Sequence, residues 1–508
     1  MTEIGIIAAA FLAGIAVLAR PPQLAAWATF GALVLTPVLV LAQIWDSSQL
    51  RPLRDRPALF LALGVAALVA VGIAAWLVRR WPTLLPIAAM LALPFRIPIA
   101  AGGSTSNLLL PLYFVIAAGA LAWAVPRLAG APTAGVPRLD GGVDEEERPP
   151  PPGDRRLEWV LLAFVVLYAV QASYSDDVDK ALNQVAFFYV PFALLYAMLR
   201  RIDWTPRLLR GCLGALVGLA VVFVGVGFWE YHARELLLNP KVIDSNQFES
   251  YFRVNSLFFD PNIYGRFLAI VMLAIAAVVI WSRDRRTVIA GGALLALLWA
   301  GLVLTFSQSS FAALLAGLAV LAALRWSARW TGVVVLAAVV IGAGFVVASP
   351  RSLHLELGSS KSVDSATSGR ADLIEGGIDL FADRPLQGWG AGSFSRAYRR
   401  ERHVSSTKAV SASHTIPITV AAEQGAVGLL LYLGLVVFGL IALLRRARAS
   451  VASAAIAAAF VALLVHTMLY AAFLEDPLAW VLLGIGVALG GRPPEDSSTV
   501  SEDVPAHA

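Results

Sequence analysis

The residues of this chain best suited to chemistry are one histidine and a set of arginines, each placed where polar chain meets a long apolar run. His414 closes the polar stretch 349–414 and is followed by Thr415-Ile416-Pro417. An unperturbed histidine titrates near a pKa of about 6.5, so at a wet boundary it can serve as general base near neutral pH. Position alone leaves equally open a histidine that only hydrogen-bonds to its loop. Arg253 precedes Asp260-Pro261-Asn262, and Arg266 follows one turn into the next apolar run. Arg370 follows Ser368-Gly369, and Arg399 and Arg400 belong to the cluster Arg399-Arg400-Glu401-Arg402-His403. Guanidinium groups hold phosphate oxygens in a fixed bidentate geometry. Any one of these arginines alone reads as an ordinary interfacial residue. Arg266 stands out, because charge inside an apolar run is costly and usually functional.

Other candidates carry less. Gly388-Trp389-Gly390-Ala391-Gly392 lacks a following Lys-Ser/Thr and reads as a turn, not as a nucleotide loop. Glu475-Asp476 has no His or Cys beside it and is expected to be a solvated loop rather than a metal site. Arg96 is expected to snorkel to the membrane interface, and His466 to be a satisfied intramembrane histidine. Ser307-Gln308-Ser309-Ser310 has no adjacent base in sequence, so no serine nucleophile is expected there.

What must position these residues is set by composition. Of 508 residues, 58% are hydrophobic and only 14% charged, against about 25% charged in soluble domains. Mean hydropathy is +0.74. Many runs approach the ~20 residues that span a bilayer as a helix, and they lack the alternation of barrel strands. The expected fold is an all-α polytopic membrane helix bundle of about 12–15 transmembrane helices, with one large extracytoplasmic loop containing an amphipathic helix. The formal charge of +5 comes almost wholly from arginine and does not point to nucleic acid. A single cysteine, Cys212, excludes an intrachain disulfide and a CxxC motif. The N-terminal run reads as a retained helix, since it lacks a basic n-region and a cleavage site.

The chain divides into N-terminal transmembrane helices (1–125), an acidic Pro/Gly-rich cytoplasmic linker expected to be disordered (126–156), a core bundle (157–348), the large loop (349–414), C-terminal helices (415–491) and a disordered cytoplasmic tail (492–508). The run 84–100, with Pro86, Pro94 and Pro98, is expected to be kinked or re-entrant. Arg200-Arg201, Arg283–Arg286, Arg325–Arg329 and Arg445–Arg448 recur at every second connection, which the positive-inside rule places in the cytoplasm. The alternate connections 173–184, 232–260, 305–310, 349–414 and 473–477 then lie outside. Gln43–Pro57 carries arginines although alternation puts it outside. In the large loop an amphipathic helix is expected from Arg370 to Asp383, capped by Ser368, with Ala371, Ile374, Ile378 and Phe381 on one side. Arginines converging on an outer membrane surface would suit a lipid-linked pyrophosphate.

Arg253-Val254-Asn255-Ser256-Leu257-Phe258-Phe259-Asp260-Pro261-Asn262, Ser368-Gly369-Arg370, Pro385–Phe394, Ser413-His414 and Glu423-Gln424-Gly425-Ala426-Val427-Gly428 follow one another around the large loop. In this order the chain, from about Leu157 to Gly491, resembles the O-antigen ligase and polymerase superfamily. The resemblance implies an inverting, metal-independent glycosyltransferase of the inner membrane with no cofactor. Its donor is a glycan on undecaprenyl pyrophosphate and its acceptor a glycan or lipid hydroxyl. It puts the activating histidine on His414 and the pyrophosphate-holding arginines on Arg253 and Arg370. Arg266, Asn262, Arg399 and Arg400 are further candidates for substrate binding. His414 is followed by Thr415 where the family often has asparagine, so this chain has a hydroxyl in place of that amide. Ligation of surface polysaccharide and polymerisation of lipid-linked repeats remain alternatives. A flippase for lipid-linked sugars is the alternative from another class, and it predicts pseudo-repeats and mid-membrane charges.

Overall fold

The computed structural model describes residues 2–46, 50–101, 104–130, 152–238, 252–337, 370–403, 413, 415–470 and 473–490. Among these, 11 helices are long and apolar enough to cross a membrane, and two shorter apolar helices, Glu3–Leu18 and Pro477–Gly490, accompany them. The fold is the all-α polytopic bundle that the composition predicts. The front helices are α1 (Thr2–Leu18), α2 (Pro22–Ile44), the short α3 (Arg51–Arg54), α4 (Pro57–Arg80), α5 (Leu84–Ala92) and α6 (Leu110–Leu128). Next come α7 (Pro152–Gln171), α8 (Val178–Gln184), α9 (Val190–Leu199), α10 (Pro206–Ala233), α11 (Pro261–Trp281), α12 (Arg285–Leu304) and α13 (from Gln308). In the large loop lie α14 (Arg370–Asp383) and α15 (Phe394–Glu401), followed by α16 (Ile416–Leu444), α17 (Val451–Leu469) and α18 (Pro477–Gly490).

Helix starts follow local chemistry. Thr205, Asp260, Asp284, Ser307 and Ser450 each accept a first-turn backbone N–H, which ties α10, α11, α12, α13 and α17 to side chains that cap well. One apolar core joins α1, α2 and α5–α9 to α16–α18. A second joins α10–α13 to α17.

Three local features differ from the sequence expectation. The run 84–100 is helical only to Ala92. Beyond it Ile97–Ala101 (β1) pairs antiparallel with Ser104–Leu108 (β2). Pro94 and Pro98 remove donors a helix needs, while β-branched Ile97, Ile99 and Thr105 suit an extended pair. The expected break at Arg325–Arg329 is absent: α13 runs from Gln308 through a π turn at Ala323–Ser327 to Ala337. No Gly or Pro stands between Leu318 and Ala328 to stop it. In α14 the buried stripe is Gly376, Gly377 and Leu380, whereas Ile378 is half exposed. The two glycines decide this, because a Cβ at Gly376 would strike Tyr398 and one at Gly377 would strike Ile418. The linker core 131–151, residues 338–369 with Ser368, and the tail 491–508 lie outside the described residues.

The connections gather at two ends. At one, Arg200 pairs with Glu158 and donates to the Val17 carbonyl, Arg201 donates to Ala16, and Arg127 and Arg201 lie over Trp123. At the other, Arg400 meets Asp176, Gln184 meets Glu475, Tyr470 meets Asp260, Arg253 meets Thr305, and Thr415 meets Met468. The connections read as alternate in sequence therefore touch one another directly. The front helices obey the same alternation, since Ile44 at the end of α2 packs with Leu108 and Phe187 near this second, polar end.

Candidate active site

The polar end is built around Arg253. Asp260 caps α11, its Oδ1 accepting the Asn262 N–H at 2.6 Å, and Pro261 supplies the preset φ of a first helical position. That turn points the Asn262 side chain back along the chain, where its Oδ1 accepts from Arg253 Nη2 at 3.2 Å. Arg253 Nε donates to the Thr305 carbonyl at 3.0 Å. Ser307, the cap of α13, donates to Asn262 Oδ1 at 2.9 Å, so one amide oxygen joins two connections. Behind it Ser309 lies 3.2 Å from His466 Nε2, with His466 fully buried. The sequence shows no base beside these serines because His466 arrives from α17, 157 residues away. His466 Nε2 thus has a hydroxyl partner while its buried Nδ1 has no hydrogen-bond partner, so the histidine expected to be satisfied is only half so.

One turn below, Arg266 is 1% exposed and its Nη2 contacts Asp476 Oδ2. Arg96 Nη2 stands 3.6 Å from the same oxygen. Asp476 is 2% exposed, and its Oδ1 accepts the Leu478 N–H at 2.8 Å. The expectation of a solvated Glu475-Asp476 loop is thereby overturned, as is that of a snorkelling Arg96. Two guanidinium groups share one carboxylate, so the buried charge of Asp476 is paired. Asp476 followed by Pro477 is a helix-start signature, and it was the sequence signal for a structured residue here. Glu475 contacts Gln184 Nε2. Burial raises its carboxyl above the ordinary range, with Lys180 and Arg96 opposing that rise.

The large loop docks on a break in α16. Gly425 has φ 67° and ψ −166° inside that helix, a region essentially reserved for glycine. The break leaves two carbonyls and one N–H to pair outside the helix, and the loop supplies their partners. Trp389 N–H donates to Ala422 O at 3.1 Å, Gly390 N–H to Glu423 O at 2.8 Å, and Ala426 N–H to Pro385 O at 2.7 Å. The Glu423 carboxylate accepts from Gly392 N at 3.0 Å and Phe394 N at 3.1 Å. Gly388, Gly390 and Gly392 all have positive φ. The Gly-rich segment is a turn, as expected, and its purpose is this close approach. On its far side Ser175 Oγ donates to Ala391 O at 2.6 Å, and Gln171 donates to Gln387 and Gln424 carbonyls.

Arg400 is engaged with Asp176 at 2.8 Å and Glu401 at 3.3 Å and lies 4.5 Å from the Trp389 ring centroid. Arg399 is half-buried on the same helix. The structure thus brings Arg253 and Asn262 together and ties Arg266 to Asp476. It puts Arg399 and Arg400 on the docked loop. Arg370 opens α14, but its side chain, and all of His414, lie outside the described residues. Ser413, beside His414, is buried and donates to Thr415 O at 2.7 Å, so this boundary of the loop stands at the head of α16. Sequence reasoning passed over Tyr470, Glu230 and the structural part played by Glu423, and it misassigned Asp476 to solvent. Among the described residues, no three His, Cys, Asp or Glu side chains gather as a metal site.

Fold and site together define a multi-pass membrane protein with arginines, buried carboxylates and a docked polar loop at one end. Residues 293–433, from within α12 to within α16, match the family model described as O-antigen ligase. Over this stretch the chain is similar to the O-antigen ligase family. No curated protein matches it.

Proposed function

We propose that the protein transfers a glycan from undecaprenyl pyrophosphate to an acceptor hydroxyl on the outer face of the cytoplasmic membrane, ligating surface polysaccharide. The polar end is the extracytoplasmic one, because the opposite end carries the short arginine-bearing connections. His414 takes the proton of the acceptor hydroxyl as its oxygen attacks the anomeric carbon. The bond from that carbon to the pyrophosphate oxygen breaks in the same displacement, configuration inverts, and undecaprenyl pyrophosphate leaves. Arg253 and Arg370 hold the pyrophosphate and offset the charge that develops on it, doing by guanidinium what a metal ion does elsewhere. Asn262 orients Arg253. The observation that carries this reading is the fixed position of Arg253, held by Thr305 O and Asn262 Oδ1 at the same end as the family-matched loop.

Complementation of a deletion strain with His414→Ala tests it. A general base contributes about 10²–10⁴-fold, so attachment of glycan should fall by that order. Long lipid-linked precursors that persist unattached mark a ligase, and collapse to single repeats marks a polymerase. Wild-type surface glycan from the alanine variant would remove His414 from the mechanism.

A further inference from the structure

Glu230 lies in the last turn of α10 and is fully buried. The C-terminal end of a helix is the unfavourable end for a carboxylate, and a buried carboxylate needs partners. Its partners are all backbone. Oε1 accepts from Leu237 N at 3.1 Å, and Oε2 accepts from Asn255 N at 3.2 Å and Ser256 N at 2.7 Å. Two successive N–H groups converging on one oxygen form an anion nest, here filled by the protein's own carboxylate. Leu237 precedes residues 239–251 and Asn255 follows them, so Glu230 joins the two stalks of that connection. Asn255 Nδ2 adds a second tie to Leu238 O at 3.2 Å.

The clamped residues, Asn255 and Ser256, follow Arg253 across the single residue Val254. Val254 N donates to Leu304 O at 3.1 Å, and Ser256 Oγ to Phe223 O at 2.8 Å, while Ser256 takes φ 51°. Three consecutive amides after Arg253 are therefore anchored, two of them to Glu230. We infer that Glu230 is a positioning residue for Arg253: its carboxylate fixes the backbone from which that guanidinium reaches pyrophosphate. The inference rests on the reading of Arg253 given above.

The side chain acts as acceptor only. Glu230→Gln preserves volume but presents an NH2 group to backbone donors, so it should fail where a purely packing role would tolerate it. Glu230→Asp keeps the charge with a shorter reach. Two measurements on the full-length protein in detergent test this. Hydrogen exchange at the Asn255 and Ser256 amides should quicken in Glu230→Gln while the α12 amides stay protected. Unchanged exchange at 255 and 256 overturns the clamp. Titration with undecaprenyl pyrophosphate, followed by tryptophan fluorescence, should show about tenfold weaker binding for Glu230→Gln, the scale of coupling within one hydrogen-bond network. Glu230→Asp should fall between. The same change should add little in an Arg253→Ala background. Equal losses in both backgrounds overturn positioning through Arg253. Wild-type affinity of Arg253→Ala alone overturns the phosphate role of Arg253 and not the clamp, which the exchange measurement decides by itself.

Discussion

At the scale of single residues, the decisive feature is how buried charge is matched. Asp476 serves two masters: one oxygen faces Arg266 and Arg96, the other caps α18. Asp476→Asn keeps a capping oxygen and removes the charge, leaving two guanidinium groups without their carboxylate. Removing one partner of a buried pair costs about 3–5 kcal/mol, several times the ~1 kcal/mol of a lost cap. Asp476→Asn should therefore lower the thermal midpoint of the detergent-solubilised protein markedly. A midpoint equal to wild type would show that the triad is not stabilised by its charge. Arg266 was legible in the sequence as a costly charge. Its partner was not, because Asp476 lies 210 positions away and its neighbours in sequence suggest solvent.

At the scale of elements, the break in α16 governs the loop. Glu423-Gln424-Gly425 stands out in the sequence as a motif, but only the fold shows that Gly425 is where the helix opens. A Cβ there would run into the Leu386 carbonyl oxygen, and one at Gly390 into Ser175. Non-glycine residues in such conformations cost about 1–3 kcal/mol before any clash is counted. Gly425→Ala should leave insertion of α16 intact while detaching the turn. Glycan transfer is then lost, and cleavage within 385–403 under limited proteolysis appears. Undiminished transfer with an unaltered digest would remove the turn from the site. Helix existence and the loop's place were legible from apolar runs and from Gly and Pro. The Gly376-Gly377 face of α14 was not, since it depends on Tyr398 and Ile418, distant in sequence, while the hairpin at 97–108 and the uninterrupted α13 rest on local signals that the apolar pattern and the arginine cluster outweighed.

At the scale of the whole molecule, the two ends make opposite predictions for access from outside the cell. Cys212, the one native cysteine, is buried, so introduced cysteines can be read against a quiet background. Leu386 and Arg448 are exposed at opposite ends of the bundle. In intact cells or spheroplasts, a membrane-impermeant maleimide should label Leu386→Cys and spare Arg448→Cys until the membrane is opened. Labelling of Arg448→Cys alone would invert the topology and with it the proposed side of glycan transfer.

The broken helix also imposes an order in time. Residues 385–394 leave the ribosome before residues 422–426, and synthesis presents a chain from its N-terminus at about 5–20 residues per second. The turn is thus born without the carbonyls and the carboxylate that will hold it. Until α16 has been made and threaded into the membrane, the loop has nowhere to dock. A half-synthesised chain carries Arg253, Arg266 and their neighbours but no assembled site. The polar end is complete only when α16 arrives.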